Sequence, residues 1–343
     1  MWRLHRYYFK EVLISATLTL TVLFGVVAVS MIYRGIDRAQ GGELIDAFVI
    51  TILITADAFP HLIAIALLFG TISTFARASS EREVTAIKAA GISLMAPMAA
   101  AAIVGIMASL LAAACVHYVI PWAHFHKYRV VAEAIRGVIL NTRVAGDQIN
   151  LKDYGVMTWG REDDEHRFHD VVVFRGGEVV VADETWFVAE QAFLSLRMRG
   201  ARSPLAGMAI EAPSFTMDTR ELAEDSLRPE GDRDLTSDQL LAEVVRGVHE
   251  NPDGAYFTVH RRTCFALLPC LLVPLGFCIG VLSRERGRAA AMSIGLIPVV
   301  IYYACDFLSL ELVRVLDWPP TAYLPASVLI AGGIPFCWKT LRS

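Results

Sequence analysis

An α-helical membrane protein with six transmembrane helices and an inserted extracytoplasmic all-β, jelly-roll-like domain is the fold class this sequence predicts. Three observations predict it. Of 343 residues, 55% are hydrophobic and only 19% charged, with a mean hydropathy of +0.48, whereas soluble domains carry about one-quarter charged residues. The charge is gathered between about residues 127 and 262, and the flanking thirds are nearly charge-free in long runs. The charged middle is built from short β-rich runs, a membrane–soluble–membrane layout.

A spanning helix needs about 20 apolar residues. Val12–Tyr33 is the first candidate; its run exceeds the roughly 7–15 residues of a signal-peptide core, so it reads as a retained helix. Ala47–Ser73 follows, interrupted by Asp57 and by Pro60-His61, and Leu94–Tyr118 ends at Ile120-Pro121. After the middle region come Phe265–Leu282, Ala289–Val313 and Ala322–Trp338, the fourth with room to start earlier because Ala255-Tyr256-Phe257 is already apolar.

Lysines and arginines in the short loops orient the chain. With the N-terminus inside, the inner flanks hold eleven: Arg3, Arg6, Lys10, Arg77, Arg82, Lys88, Arg284, Arg286, Arg288, Lys339 and Arg342. The outer loops hold three, Arg34, Arg38 and Arg314. Both termini are therefore expected in the cytoplasm, in a bacterial inner membrane, with the middle region outside. Domain boundaries follow: 1–126 for helices one to three, with a cytoplasmic helix at about 79–92; 127–234 for the β domain; 235–343 for a connecting helix and helices four to six.

In the middle region Asp170–Phe174, Glu178–Ala182, Trp186–Ala189, Phe193–Met198 and Ser214–Met217 alternate as strands do, with Gly176-Gly177 as a two-residue hairpin. Short, regularly spaced strands suggest a sandwich or jelly roll. Leu235–Val248 predicts a helix capped by Thr236 or Ser237.

The net charge of −4 argues against nucleic-acid binding. All six cysteines fall in or beside apolar segments, with no CxxC spacing, and read as buried small hydrophobes. GxxxxGK[ST], HExxH and GxSxG are absent, so any ATP hydrolysis belongs to a partner, and no cofactor is expected in this chain.

The loop Phe75–Ser93 is the most informative segment. Ser80 and Glu83 suit a capping box, Gly91 suits a helix stop, and Val84, Ile87 and Gly91 share one face. Such a helix lies along the membrane surface, either as a plain connector or as an insert into a partner's groove. Its Glu83-Val84-Thr85-Ala86-Ile87-Lys88-Ala89-Ala90-Gly91-Ile92-Ser93 matches the E-[ILMV]-x-x-[LIM]-x-A-x-G-[IV]-S pattern of the LptF/LptG family, the permeases of lipopolysaccharide export. His260-Arg261-Arg262 before Val273-Pro274-Leu275-Gly276, and Arg286-Gly287-Arg288 before Tyr302-Tyr303, resemble the same family, as does the three-plus-three layout.

The resemblance implies that the loop helix is a coupling helix on a cytoplasmic LptB-like ABC ATPase, with Glu83 in the position that contacts the ATPase and Val84, Ile87 and Gly91 beside it. It implies a paralogous LptG-like permease, LptC/LptA-like periplasmic bridge proteins that receive the lipid from a jelly roll, and lipopolysaccharide as cargo. The Arg34…Gly41-Gly42-Glu43-Leu44 stretch leans toward the LptF type.

Arg34, Arg261 and Arg262 lie at outer-leaflet depth, where a guanidinium matches a headgroup phosphate. Ordinary snorkelling, or pairing with Asp37, Glu43 and Asp46, is the alternative. Asp57, His61 and Asp306 are ionisable residues within spans. If they face one another they suit an ion-gradient-driven secondary transporter, the alternative to an ATP-driven exporter; a membrane-anchored β-domain scaffold is a third reading. Gly276-Phe277-Cys278-Ile279-Gly280 is a GxxxG, a common sign of close helix packing.

Overall fold

The computed structural model describes residues 2–39, 44–127, 130, 148–150, 156–163, 167–175, 178–190, 193–203, 208–209, 214–218, 231–283 and 287–342. The predicted turn at Gly176-Gly177, the Gly41-Gly42-Glu43 stretch, and Arg284 and Arg286 lie outside these residues.

Among the described residues, six helices are long and apolar enough to cross a membrane: Trp2–Ile36, Ala47–Ser80, Met95–Lys127, Pro252–Leu282, Ala289–Leu316 and Pro319–Arg342. They outrun the apolar segments read from sequence because a helix keeps its backbone hydrogen bonds on leaving an apolar run. We label the elements α1 (Trp2–Ala39), α2 (Leu44–Ser80), α3 (Glu83–Ala89), α4 (Met95–Ala114), α5 (Ser237–Arg246), α6 (Pro252–Ala266), α7 (Leu268–Leu282), α8 (Gly287–Leu316) and α9 (Leu324–Arg342). The chain divides into two compact units, one of Met1–Ser30, Thr55–Ala123 and Asp232–Ser343, the other of Met31–Ile54 and His124–Gly231.

In the first unit, glycines set the closest helix crossings. A Cβ on Gly276 would stand 3.0 Å from Leu68 Cδ1 and 3.2 Å from Leu68 O; one on Gly280 would stand 2.9 Å from Phe75 Cβ and 3.0 Å from Ile72 O. The GxxxG of α7 is therefore a contact surface for α2, held further by Ser79 Oγ donating to Val281 O at 2.9 Å. Gly105 of α4 meets Val273 of α7 in the same way, at 3.1 Å. Buried Leu67, Phe75, Val104, Val273 and Phe277 fill the space between.

Prolines mark where helices deviate. The third span does not stop at Pro121, as its sequence suggests, but continues to Lys127. It passes through a π turn at Cys115–Val119, in which Ile120 N–H donates to Cys115 O; Pro121, having no N–H, leaves the ladder to loosen just there. The fourth span breaks at Leu267 between α6 and α7, next to Pro269, and the Cys270 N–H turns to Ser109 Oγ of α4 at 3.0 Å. The helix α5 starts as predicted: the Thr236 N–H donates to Gln239 Oε1 at 2.9 Å, completing a capping box. The α6 helix begins with Asn251 Oδ1 accepting from Gly254 N–H at 2.9 Å and Pro252 in its first turn. Cys115, Cys264 and Cys278 are buried as expected; Cys270, Cys305 and Cys337 are half-buried.

In the second unit, Ala47, Ile50 and Ile54 pack with Met31 and Val130. The described strands form one antiparallel sheet. They are β1 (Gln148–Asn150), β2 (Val156–Thr158), β3 (Arg161–Glu162), β4 (Arg167–Arg175), β5 (Glu178–Glu190), β6 (Phe193–Arg199), β7 (Arg202–Ser203), β8 (Met208–Ala209) and β9 (Ser214–Asp218). The order is β1-β2-β4-β5-β6-β9, with β3 on β4, β7 on β5 and β8 on β7. Two predicted strands, Glu178–Ala182 and Trp186–Ala189, are one, β5: Glu184 pairs with His169 and Arg199 and carries the ladder past Asp183.

On β4 the buried positions are Phe168, Val171 and Val173. The phase slips by one at Asp170, whose φ of 55° turns its side chain outward. The sheet's apolar face is closed by Met157, Trp159, Phe168, Val171, Val173, Leu196 and Met198.

Candidate functional site

Two clusters in the first unit bring the predicted residues together. The first surrounds α3. α2 runs on through Ser80, whose hydroxyl donates to Arg77 O at 2.9 Å, so the expected Ser80–Glu83 capping box does not form. The N-cap is instead Arg82, in the left-handed region at φ 63°, without a side-chain cap. The helix covers Glu83–Ala89, shorter than the 79–92 expected, because that turn at Arg82 separates it from α2. Its end is as predicted. Gly91, at φ 71°, lets Ile92 N–H reach Ile87 O (3.1 Å) and Gly91 N–H reach Lys88 O (2.9 Å), a Schellman closure.

Val84 and Ile87 are buried and pack with Tyr8, Phe75, Ala78 and Leu94. The shared apolar face of the loop helix thus points into this chain's own core, and Thr85, Ala86, Lys88 and Ala89 are the exposed side. Gly91 is also exposed. Glu83 is half-buried, and its carboxylate accepts from two phenols of α1: Tyr8 Oη to Oε2 at 3.0 Å and Tyr7 Oη to Oε1 at 3.3 Å. Beside it, Arg77 donates to Glu11 at 2.6 Å, to Glu81 at 3.2 Å and to Tyr7 Oη at 3.4 Å. Sequence reasoning missed Tyr7, Tyr8 and Glu11. Their only trace is two adjacent aromatics and an acid in the first turns of a span, which also suits an ordinary interfacial belt.

The second cluster lies where α2, α6 and α8 meet. Arg261 forms a two-pronged pair with Asp306, Nε to Oδ1 at 2.8 Å and Nη2 to Oδ2 at 2.6 Å. The Asp306 side chain is 16% exposed and that of Arg261 41%. His61 Nδ1 is 2.7 Å from Tyr303 Oη, and its ring lies 4.3 Å from that of Phe265. His260 Nδ1 is 3.1 Å from Tyr323 Oη, and Tyr302 Oη donates to Cys264 Sγ at 3.9 Å. Buried Tyr302 belongs to the apolar cluster that seals this region with Leu68, Leu272 and Val299.

Neighbouring Arg262 faces elsewhere. It donates to Asp232 O at 2.8 Å, Leu235 O at 2.9 Å and Ser237 Oγ at 3.2 Å, and so fastens the approach to α5 onto α6. Ser237 Oγ is also 2.6 Å from His117 Nδ1. Arg34, on α1 in the second unit, is exposed. Asp57 lies one turn before His61 on α2. His61 and Asp306 are each bound to another residue of the cluster, Tyr303 and Arg261. Among the described residues no group of histidine, cysteine and acid side chains is arranged to hold a metal ion.

This arrangement offers no nucleophile–base pair and no phosphate cradle; what it offers is a short helix clipped to the ends of two spans and a neutralised ion pair between two others. No curated protein sequence matches the chain. The model of the lipopolysaccharide export system permease LptF/LptG, however, matches residues 6–339, from the first turn of α1 almost to the end of α9. The chain belongs to the LptF/LptG family of inner-membrane permeases of lipopolysaccharide export, in which ATP hydrolysis is the work of the partner LptB.

Proposed function

We propose that this permease is of the LptF type and pairs with an LptG-like paralogue, an LptB-like ATPase in the cytoplasm and LptC/LptA-like proteins in the periplasm. Both termini face the cytoplasm, since eleven lysines and arginines flank the spans on that side against three on the other. The antiparallel sheet then stands in the periplasm as part of a jelly roll that receives the lipid. The domain limits are 1–126, 127–234 and 235–343. The chain carries no cofactor, and ATP is bound by the partner.

The observation that carries the reading is α3. A seven-residue helix is too short to be stable alone; it is held in place by Val84, Ile87 and Glu83 while its other side stays exposed. A helix fixed from within and bare outside, between the second and third spans, suits a coupling helix. In this reading Glu83, Val84, Ile87 and Gly91 present and orient it, and the ATPase meets its exposed side.

Lipopolysaccharide enters beside α1 with its phosphates near Arg34. Separately, Arg261 meets a phosphate through the edge that Asp306 leaves exposed, and Arg262, in its carbonyl clasp, holds the start of α5 against the helix that carries both arginines. The gradient-driven alternative is disfavoured: Asp306, one of its carboxylates, is committed to Arg261, and His61 to Tyr303.

Purification of the tagged chain in mild detergent tests the assignment. An ABC ATPase should accompany the wild type and fall by about tenfold with Lys88→Glu, a charge reversal on the exposed side of α3 that the ATPase meets. Wild-type preparations without any ATPase under several mild conditions would refute it.

A further inference from the structure

In the part of α1 that belongs to the first unit, the contacts are concentrated at its start. Within Trp2–Ser30 only Tyr8 and Val12 are buried. Tyr8 is 1% exposed and stacks on Phe75 of α2 with ring centroids 5.2 Å apart, so its hydroxyl is aimed at Glu83 by a fixed ring. Eight residues on, about 12 Å along the helix, α1 makes a second close approach. A Cβ on Gly70 of α2 would stand 2.6 Å from the Ala16 backbone, so the two backbones touch there. The large residues that follow on α1, Leu18, Val22, Val26 and Val29, are exposed on this chain. Within Trp2–Ser30, α1 is thus held at its first turns and crosses α2 backbone to backbone at Ala16, the build of a lever; its last turns, at Met31 and Gly35, pack on Ala47 and Thr51 of the same α2.

We propose that the bonds from Tyr7 and Tyr8 to Glu83 are a latch that carries displacement of α3 into α1, with the Ala16–Gly70 crossing as its fulcrum. The inference rests on the reading that an ATPase docks at α3. It assigns Glu83 a role distinct from touching the ATPase: Glu83 is a positioning residue, acting through α1. The physical reason is direction. Val84 and Ile87 pass a push into apolar side chains, and such contacts slide. Two hydroxyls on one carboxylate form directional, charge-assisted bonds, and these keep α3 and the start of α1 moving together. Arg77, bonded to Glu11, Glu81 and Tyr7, braces the same corner from α2.

The test uses the whole complex in proteoliposomes, reading lipopolysaccharide released per ATP hydrolysed, a ratio that a role in stability alone does not move. Tyr7→Phe with Tyr8→Phe keeps both rings, and so the stack on Phe75, while deleting the two hydroxyls. Release per ATP should fall about tenfold, with ATP hydrolysis and assembly within about twofold of wild type. Glu83→Gln should fall similarly, and the triple variant no further, the non-additivity of residues acting as one unit. A ratio for the double phenylalanine variant within twofold of wild type, or losses that multiply in the triple, would overturn the latch. If the phenylalanine variants assemble poorly, Tyr7→Cys with Glu83→Cys in a chain otherwise free of cysteine gives the same answer. Bridging the two thiols with a short bis-maleimide should restore release per ATP, and a ratio that stays low after bridging would overturn the proposal. A wild-type complex that contains no ATPase would overturn both the latch and the reading beneath it.

Discussion

Replacing Arg261 by alanine should destabilise the protein by about 2–3 kcal/mol, and removing Asp306 as well should return most of that loss. A carboxylate paired in an apolar bundle is tolerable, but the same carboxylate alone is not, and breaking a buried pair costs about 3–5 kcal/mol. Asp306 is nearly enclosed whereas Arg261 is 41% exposed, which brings the expectation just below that range. The double variant Arg261→Ala with Asp306→Ala carries no orphaned charge and should lie within about 1 kcal/mol of wild type. Thermal unfolding of the four proteins in nanodiscs completes the cycle. The same set separates two roles for Arg261. If the guanidinium serves chiefly to neutralise Asp306, lipid binding recovers with stability in the double variant. If it is chiefly a headgroup ligand, stability recovers and lipid binding stays low.

A comparable loss, about 3 kcal/mol, is expected for Gly280→Leu. The atoms that a Cβ would meet, Ile72 O at 3.0 Å and Ala76 N at 3.1 Å, are backbone atoms of α2 and cannot turn aside as a flexible side chain would. The helices must part instead, and overpacking of this kind costs about 1–3 kcal/mol, occasionally more. Parting them also opens the contact that Ser79 makes with Val281 O. Gly332→Ala is the control: nothing lies within 4 Å of its added Cβ, so the change should stay within about 0.5 kcal/mol. Unfolding midpoints of Gly280→Leu and Gly332→Ala in the same nanodiscs give the comparison.

The six spans were legible because each is a continuous apolar run, and continuous runs need no knowledge of tertiary structure. Their ends were less so. Pro121 reads as a terminus, yet a π turn absorbs its missing N–H and the helix continues. Within α3 the spacing of Val84 and Ile87 identified one face, but spacing does not say which way a face points. Residues such as Tyr8 and Phe75, distant in sequence, turn it inward. The bond between Arg261 and Asp306 joins residues 45 positions apart, and that between Tyr8 and Glu83 residues 75 apart. Neither leaves a local pattern, so a sequence reading can nominate the charges but not the pairs. The strands were legible as alternation, except that Asp183 and Glu184 looked like a break. In a sheet, polar side chains on the outward face are ordinary, and pairing of Glu184 with both His169 and Arg199 carries β5 straight through.

Release of lipopolysaccharide from proteoliposomes is the most direct test of the central claim, that this chain is a permease driven by a partner's ATP hydrolysis. Vesicles containing the chain, its partner permease and the ATPase, with periplasmic acceptor protein outside, are followed for transfer of lipid to the acceptor. Transfer should require both ATP and the ATPase and be indifferent to an imposed proton or sodium gradient. Transfer that follows the gradient and proceeds without the ATPase would contradict the claim.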